Sequence, residues 1–276
     1  MKRVILTADD FGLSLAVNEG IERAHREGVL TSASLMVGGA ASADAVRRAR
    51  ALPGLRVGLH LVVIEGPAVL PPGEIADLVG PDGRFPSDQM GLGARYVFRP
   101  RVRRQLAAEI RAQFAAYAAT GLPLDHADAH KHMHLHPVVG AQMLRIGREF
   151  GLCAVRIPAE PPAVMAGLGV SGGRALYRWT GLLRRQARAA GMAVNDAAFG
   201  LAWSGHMTEA RLLRLVPVLP EGVSEIYFHP ATGRDAAIET TMPDYEHAAE
   251  LAALLSPAVR TALDRAGVSL CAYGDL

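Results

Sequence analysis

Short apolar runs alternate with amphipathic segments along most of the chain. Residues 3–8 (RVILTA) form the first run, which predicts a strand buried on both faces. Ser14 then fits the N-cap of a helix, and Gly28 fits the position just after that helix. Comparable runs predict further strands at 32–37, 56–63, 124–130, 153–158, 197–203, 224–229 and 268–273, with helical segments between them.

Seven or eight strands that alternate with helices predict a single-domain α/β protein, an irregular (β/α) TIM-like barrel of parallel strands. A doubly wound open sheet is the alternative, but no Gly-x-Gly-x-x-Gly follows the first strand, which weakens a dinucleotide-binding version. The chain of 276 residues suits one such domain. Two Pro- and Gly-rich excursions interrupt the alternation at about 64–100 and 159–195. Helices are predicted at about 100–119 and 243–266, the second broken at Pro257.

Composition narrows the class of protein. The formal net charge is +2, which is not the strong basic bias of a nucleic-acid-binding protein, so no nucleic-acid partner is expected. The chain runs directly into its first strand without an apolar leader segment, and no apolar run approaches the roughly 18 residues of a membrane span. We therefore expect a soluble, cytoplasmic protein.

Side chains capable of chemistry collect where the predicted strands end. They are Asp9, Asp10, His60, Asp128, His130, Arg156 and His229. Because the carboxyl ends of parallel strands share one face, where active sites are built, these residues are expected to converge. One Asp and two neutral His make a three-ligand site for a divalent cation, and a second carboxylate can take the proton of an attacking water.

The segment 125–136 (DHADAHKHMHLH) is unusually rich in histidine. Its five histidines occupy the alternate positions 126, 130, 132, 134 and 136, so in an extended chain they share one face. One ion beside Asp10 and His60 can use only one or two of them. The others are expected to surround the ligands, to contact the substrate or to cap the following helix.

Each of these residues also has an ordinary explanation when it is taken alone. An isolated Asp-Asp pair is usually a turn with a helix cap, and a lone histidine such as His60 is usually a core residue. His206 and His247 fall on predicted helices and are expected at the surface. Only the convergence of several such residues on one face favours chemistry.

These motifs together resemble those of the YdjC-like (ChbG-type) carbohydrate deacetylases. The matching pieces are TADDFG with the following SLAVNEGIERAHREGVLTSASLMV, then GLHL, DAHKHMH, VRIPAE and SEIYFHP, in the family's order and across most of the chain. Within the family, the first block and a later apolar, Arg-rich segment are most similar to the members associated with hopanoid biosynthesis (HpnK type). One departure is Ala231, where the family has the glycine of a His-Pro-Gly motif.

The resemblance implies a metal-dependent N-deacetylase with an irregular barrel fold. It implies that Asp10, His60 and His130 bind one divalent ion, and the His-rich surroundings favour zinc, with magnesium possible. It further implies that Asp9 is the catalytic base and that His229 is the general acid or the oxyanion stabiliser.

The substrate implied by the hopanoid-associated members is an N-acetylglucosamine-type sugar on a polycyclic lipid, which deacetylation converts to a glucosaminyl hopanoid. Arg156 and Glu160 match a substrate-side motif of the family. We add His134 and Trp179 to the predicted substrate contacts. A lipid-linked substrate raises the question of how the enzyme reaches a membrane.

Segment 174–188 gives one answer. It places Leu176, Trp179 and Leu183 on one helical face and several arginines on another, and no acidic residue lies between Glu160 and Asp196. That pattern is typical of an interfacial helix attracted to anionic lipid, so we predict a lid or a peripheral contact with the inner membrane.

Three alternatives remain open. The same catalytic face suits a deacetylase of soluble chito-oligosaccharides. An Asp/His/His set alone also suits a metal-dependent hydrolase of another bond, such as a phosphoester. A non-catalytic sugar- or lipid-binding barrel is a further possibility, although a binding module has no need of a base such as Asp9.

Overall fold

A curled parallel sheet forms the centre of the protein. The computed structural model describes residues 1–276, and all strand pairings in its main sheet are parallel. The strands are β1 (Lys2–Phe11), β2 (Ser32–Leu35), β3 (Arg56–Leu61), β4 (Ala127–Ala129), β5 (Ala154–Val155), β6 (Ala193–Val194), β7 (Ala197–Phe199), β8 (Gly222–Phe228) and β9 (Val268–Leu270). Their order is β6-β5-β4-β3-β2-β1-β8-β7, with β9 beside the start of β1. The α/β, TIM-like architecture is thereby confirmed as an incompletely closed barrel.

Eleven helices connect these strands. They are α1 (Leu15–Glu27), α2 (Ser42–Arg50), α3 (Gln89–Phe98), α4 (Pro100–Ala119), α5 (Pro137–Glu149), α6 (Pro162–Gly167), α7 (Arg174–Ala189), α8 (Glu209–Leu215), α9 (Ala236–Thr241), α10 (His247–Leu255) and α11 (Pro257–Arg265). The side chain of Ser14 caps α1 as predicted, by accepting a hydrogen bond from the Val17 N–H. The predicted break at Pro257 is confirmed, because α11 begins there. No helix combines the length and the hydropathy that a bilayer span requires.

The two predicted excursions pack onto the barrel rather than apart from it. Ile75 and Leu78 of the first, and Met165 and Leu183 of the second, belong to the same cluster of 68 buried apolar residues as the strands. The first excursion contains α3, and the second contains α6, α7 and the short edge strand β6. Both therefore share the core of the single domain.

Buried polar side chains of α4 hold the chain where it leaves β3. Gln113 bonds both backbone groups of Val62, accepting from its N–H at 2.9 Å and donating to its carbonyl at 2.6 Å. Glu109 accepts from the N–H groups of Val69 and Leu70, at 2.8 and 2.9 Å, and from the Gln113 amide. Neither helix side chain is exposed. The start of the excursion is thus fixed by side-chain hydrogen bonds to its backbone groups, which in a strand or helix would bond to other backbone groups.

Replacing Glu109 by alanine is expected to lower the free energy of unfolding by about 2–4 kcal/mol, because it leaves two backbone N–H groups and the Gln113 amide without their acceptor. Urea denaturation followed by circular dichroism measures this. Glu149→Ala is the control, since Glu149 is an exposed acid on α5 whose surface ion pair with Arg111 is expected to matter little. Equal stability of the two variants would contradict the anchoring role.

Candidate metal centre and catalytic site

Three side chains from the ends of β1, β3 and β4 meet in one buried cluster. The Asp10 Oδ1 atom lies 3.1 Å from His130 Nδ1 and 3.3 Å from His60 Nε2. One ligand atom from each residue lies within 4.8 Å of the other two, and all three residues are buried. The other carboxylate oxygen of Asp10 is buried without any hydrogen-bond partner. This donor set, with an orphaned anionic oxygen, fits a divalent cation.

A backbone irregularity brings both adjacent aspartates to the site. Successive side chains of a regular strand point to opposite faces. Here the pairing register between β1 and β2 shifts between Ala8 and Phe11, and Asp10 takes a left-handed φ of 63°. As a result Asp9 and Asp10 both reach the carboxyl-end face, where they contact different partners.

Asp128 orients the imidazole of His60. Its Oδ1 atom lies 2.8 Å from His60 Nδ1. Because a carboxylate accepts, Nδ1 carries the hydrogen, and Nε2 is directed at Asp10 and His130. Burial opposes charge on His60, but the carboxylates of Asp128 and Asp10 prevail and raise its pKa well above the ordinary value. The buried carboxylates therefore favour positive charge at His60.

The glycine of the GLHL motif makes room for the support of Asp128. A Cβ atom on Gly58 would lie 2.6 Å from the ring of His126. That ring lies 3.1 Å, through Nε2, from the hydroxyl of Ser34, which donates to Asp128 Oδ2 at 3.0 Å. A larger residue at position 58 would displace the chain of contacts that ends on Asp128.

Arg156 binds three carboxylates at once and is fully buried. Two of its nitrogens, Nη1 and Nη2, contact the two oxygens of Asp9 at 2.7 Å. Nε and Nη2 donate to Glu225 at 2.9 Å, and Nη1 pairs with Asp128. Four hydrogen bonds to Asp9 and Glu225 and one ion pair with Asp128 thus engage the guanidinium. In this structure Arg156 holds the carboxylate of Asp9 in place, and its predicted substrate contact stays a prediction.

The charges of the buried cluster do not balance among the residues themselves. The cluster contains four carboxylates and one guanidinium: Asp9, Asp128 and Glu225 pair with Arg156, whereas Asp10 pairs with the imidazoles of His60 and His130. Buried anions require a nearby compensating charge. Burial raises the pKa of Asp10, yet the neighbouring imidazoles of His130 and His60 outweigh it and hold that pKa well below the usual range. A cation bound next to Asp10 would therefore compensate the negative charge of this carboxylate.

His229 follows the last residue of β8, and little of it is exposed. Burial lowers the pKa of its imidazole, against the opposing effect of Asp10 and Asp9. The ring packs edge-on against Tyr245, with centroids 5.0 Å apart, and lies 6.0 Å from the ring of Tyr227. His229 thus lies where the carboxylates of Asp9 and Asp10 influence its imidazole, and its predicted catalytic role stays a prediction.

The histidines after His130 do not share one face, so that part of the prediction is wrong. Residues His130–Leu135 form a 3₁₀ turn in which Lys131 and His132 are left-handed, with φ of 49° and 54°. His132 contacts the Tyr227 hydroxyl at 2.9 Å. His134 donates to the Arg156 carbonyl at 3.1 Å, and burial lowers its pKa to about 4. His134 is buried and His132 is half-buried, and the predicted substrate contact of His134 stays a prediction.

Glu160 and Trp179 lie farther from the cluster. The Glu160 carboxylate accepts from three successive backbone N–H groups, those of 200–202, and so fixes the loop after β7. Trp179 on α7 is 48% exposed and donates through Nε1 to the Leu135 carbonyl at 2.9 Å. Of these two predicted substrate contacts, Trp179 is the one placed on an open surface.

An apolar groove of about 650 Å³ lies between α3 and α7. Its apolar lining consists of Met90, Ala94, Val97, Met133, Leu135, Pro137, Leu176, Trp179 and Leu201. One end of the groove reaches His132. The predicted apolar face of 174–188 is only partly exposed, because Leu183 is buried in the core while Leu176 and Trp179 line the groove.

Sequence reasoning missed several functional neighbours. Glu225 lies within β8 and Glu250 within α10, and neither belongs to a recognisable sequence motif. His247, which was expected at the surface, is 3% exposed and contacts the His229 carbonyl. A carboxylate inside an otherwise apolar strand, as Glu225 is in SEIYF, was the one signal available.

The chain belongs to the YdjC-like protein family, which it matches over residues 3–265. A carbohydrate deacetylase of Brevibacillus brevis is 39% identical over 160 residues, 58% of this chain and 59% of that protein. A carbohydrate deacetylase of Mus musculus is 32% identical over 99% of this chain and 94% of its own length. Among solved structures, a protein of Enterococcus faecalis V583, provisionally described as a cellobiose-phosphate cleavage protein, superimposes with a TM-score of 0.79. It is 25% identical and covers 99% of this chain and 98% of its own.

Asp128→Asn is expected to weaken divalent-ion binding by about 10- to 100-fold, because the charge that orients His60 is lost. Competition with a chromogenic chelator on the metal-stripped protein measures the affinity. His206→Ala serves as the control, since His206 lies outside the cluster and pairs with Glu246. An unchanged affinity in Asp128→Asn would contradict the orienting role.

Proposed function

We propose that this chain is a metal-dependent N-deacetylase that releases acetate from an N-acetylglucosamine-type head group. The observation that carries the proposal is the buried Asp10, His60 and His130 cluster beside an Asp9 that Arg156 holds in place. The carbohydrate deacetylases among its relatives supply the substrate class. A sugar amide is therefore the bond to be hydrolysed.

Asp10, His60 and His130 would hold the ion, and zinc suits two imidazoles and one carboxylate better than magnesium does. A bound divalent ion supplies a Lewis acid that polarises the acetyl carbonyl and acidifies water. The protein's own anions favour such an ion, because three of the four buried carboxylates already pair with Arg156 and Asp10 has no Lys or Arg partner.

The remaining steps belong to the protein's side chains. Asp9, fixed by two hydrogen bonds from Arg156, takes the proton of the attacking water as the tetrahedral centre forms. His229 then stabilises the oxyanion or gives a proton to the departing amine. Cleavage of the C–N bond leaves acetate and a free amino sugar, so one water is consumed for each amide.

Asp9→Asn is expected to lower kcat for acetate release by about 10²- to 10⁴-fold, because it removes the base. Bound metal, measured by elemental analysis, is expected to stay at the wild-type stoichiometry. Asp264→Asn, at an exposed position on α11, is the matched control and should keep full activity. Full activity in Asp9→Asn would eliminate the base role, and ligand binding without any acetate release by the wild type would favour the non-catalytic alternative.

The apolar groove supports a lipid-linked substrate, and a glycosylated hopanoid is the one we propose. Its exposed Leu176 and Trp179 lie on α7, whose other face carries arginines without any acid. Exposed Met90 and Phe98 on α3 extend the apolar edge. Segment 174–188 would then rest on an anionic, cytoplasmic membrane surface while the sugar head reaches the catalytic cluster.

A soluble chito-oligosaccharide is the second candidate, and one observation favours it. A polar cleft of about 790 Å³ lies on the other side of Lys131 and is lined by charged residues that include Glu65, Asp77 and Arg84. Such side chains suit sugar hydroxyl groups. The two candidates differ in which side of Lys131 the substrate occupies.

Trp179→Ala is expected to reduce kcat/KM for an N-acetylglucosaminyl lipid by about 10- to 100-fold, the effect of losing one buried aromatic contact. Its kcat/KM for soluble N,N′-diacetylchitobiose should stay near the wild-type value. Leu213→Ser, a similarly exposed apolar position on α8, is the control and should change neither. Equal losses on both substrates would remove the groove from lipid recognition.

A further inference from the structure

The start of α10 holds the backbone of His229 on both sides. His247 and Glu250 are three positions apart, so they lie on the same face of that helix. His247 Nδ1 donates to the His229 carbonyl at 2.6 Å, and Glu250 Oε2 accepts from the His229 N–H at 2.5 Å. His229 lies just beyond β8, and these two side chains hold its backbone N–H and carbonyl.

Glu250 is a buried acid without a Lys or Arg partner. It is 0% exposed, and its hydrogen bonds are to the N–H groups of His229 and Met207. The nearest carboxylates, those of Asp9 and Glu246, oppose its ionisation, and burial raises its pKa to about 7. An uncompensated buried carboxyl is unfavourable, so a structural hydrogen bond alone is a weak explanation for an acid here.

The imidazole of His229 offers the missing partner. Its Nδ1 atom is buried without a hydrogen bond and lies 3.8 Å from Glu250 Oε2. That separation is too long for a hydrogen bond, so the bond that we propose requires the two side chains to move closer together. A protonated His229 carries a hydrogen on Nδ1, which then needs an acceptor, and Glu250 is the acid in place.

We propose that Glu250 and His247 are positioning residues for His229. Both fix its backbone, and Glu250 additionally accepts a hydrogen bond from Nδ1 when the imidazole is protonated. The inference rests on the proposed function, in which His229 gives a proton to the departing amine. It deepens that function by naming what makes His229 available as an acid.

The charged and polar groups around His229 determine the direction in which its pKa shifts when Glu250 loses its charge. Groups facing His229 and Glu250 are the carboxylates of Asp9, Asp10 and Glu246, the imidazoles of His60 and His247, and the hydroxyls of Tyr227 and Tyr245. An ionised Glu250 favours the imidazolium and raises the His229 pKa. A general acid loses activity as pH rises through its pKa, so removal of the Glu250 charge should move the alkaline limb of kcat to lower pH.

The test uses the full-length, metal-loaded protein with ¹⁵N-labelled histidine. In Glu250→Gln, the His229 imidazole, assigned by its absence in His229→Gln, is expected to titrate on the order of one pH unit lower than in wild type. With an N-acetylglucosamine substrate, kcat should fall by about 10- to 100-fold at nearly constant KM, and the alkaline limb should move down by the same amount. Because the titration needs no turnover, it separates this proposal from failure of the deacetylase assignment.

Two further variants keep the test decisive. Glu246→Gln removes an exposed acid that opposes the ionisation of Glu250, so it should not lower the His229 pKa. His247→Gln keeps a donor near the His229 carbonyl but removes an imidazole whose influence lowers the His229 pKa, so it should not lower that pKa further. An unchanged titration in a folded Glu250→Gln, or an equal downward shift in His247→Gln, would overturn the proposal. Should Glu250→Gln not fold, Glu250→Asp, which retains the charge, must keep the alkaline limb near its wild-type position.

Discussion

The buried guanidinium of Arg156 is the interaction on which the arrangement of the site depends. It crosses the barrel from the end of β5 to β1, β4 and β8, and it binds a carboxylate from each. A planar fork with five donors can fix three carboxylates in one geometry, which a lysine ammonium cannot do. Asp9 is therefore placed by an ion pair rather than by the turn in which it lies, and Asp128, held from the same side, can orient His60.

The single positive charge of Arg156 does not balance the negative charge of the buried carboxylates around it. With Asp10 included, the cluster holds more carboxylates than its one arginine balances. The carboxylates of Asp128 and Asp10 accordingly raise the pKa of His60. The divalent ion that we propose at Asp10, His60 and His130 would supply positive charge where these carboxylates favour it. The alternative grouping of Asp9, His60 and Asp128 is less suitable for an ion, because Arg156 already occupies two of its carboxylates. The structure thus pairs Asp9 with an arginine and leaves Asp10 to the ion that we propose.

The sequence predicted the barrel and the convergence of Asp10, His60 and His130, because strand periodicity and strand ends depend on local patterns. It did not predict the left-handed turn at Lys131 and His132, since no glycine marks it, and the alternating histidines were wrongly assigned one face. Glu225, Glu250 and His247 were missed for another reason. Their roles come from partners more than fifteen positions away, which a periodic pattern does not contain.

Anomalous diffraction from crystals of the metal-loaded protein, collected on both sides of the zinc absorption edge, tests the central claim most directly. The account predicts one peak about 2.0–2.2 Å from a carboxylate oxygen of Asp10 and from one ring nitrogen each of His60 and His130. A peak bound by Asp9 and Asp128 instead, or no peak within the cluster at saturating metal, would contradict it.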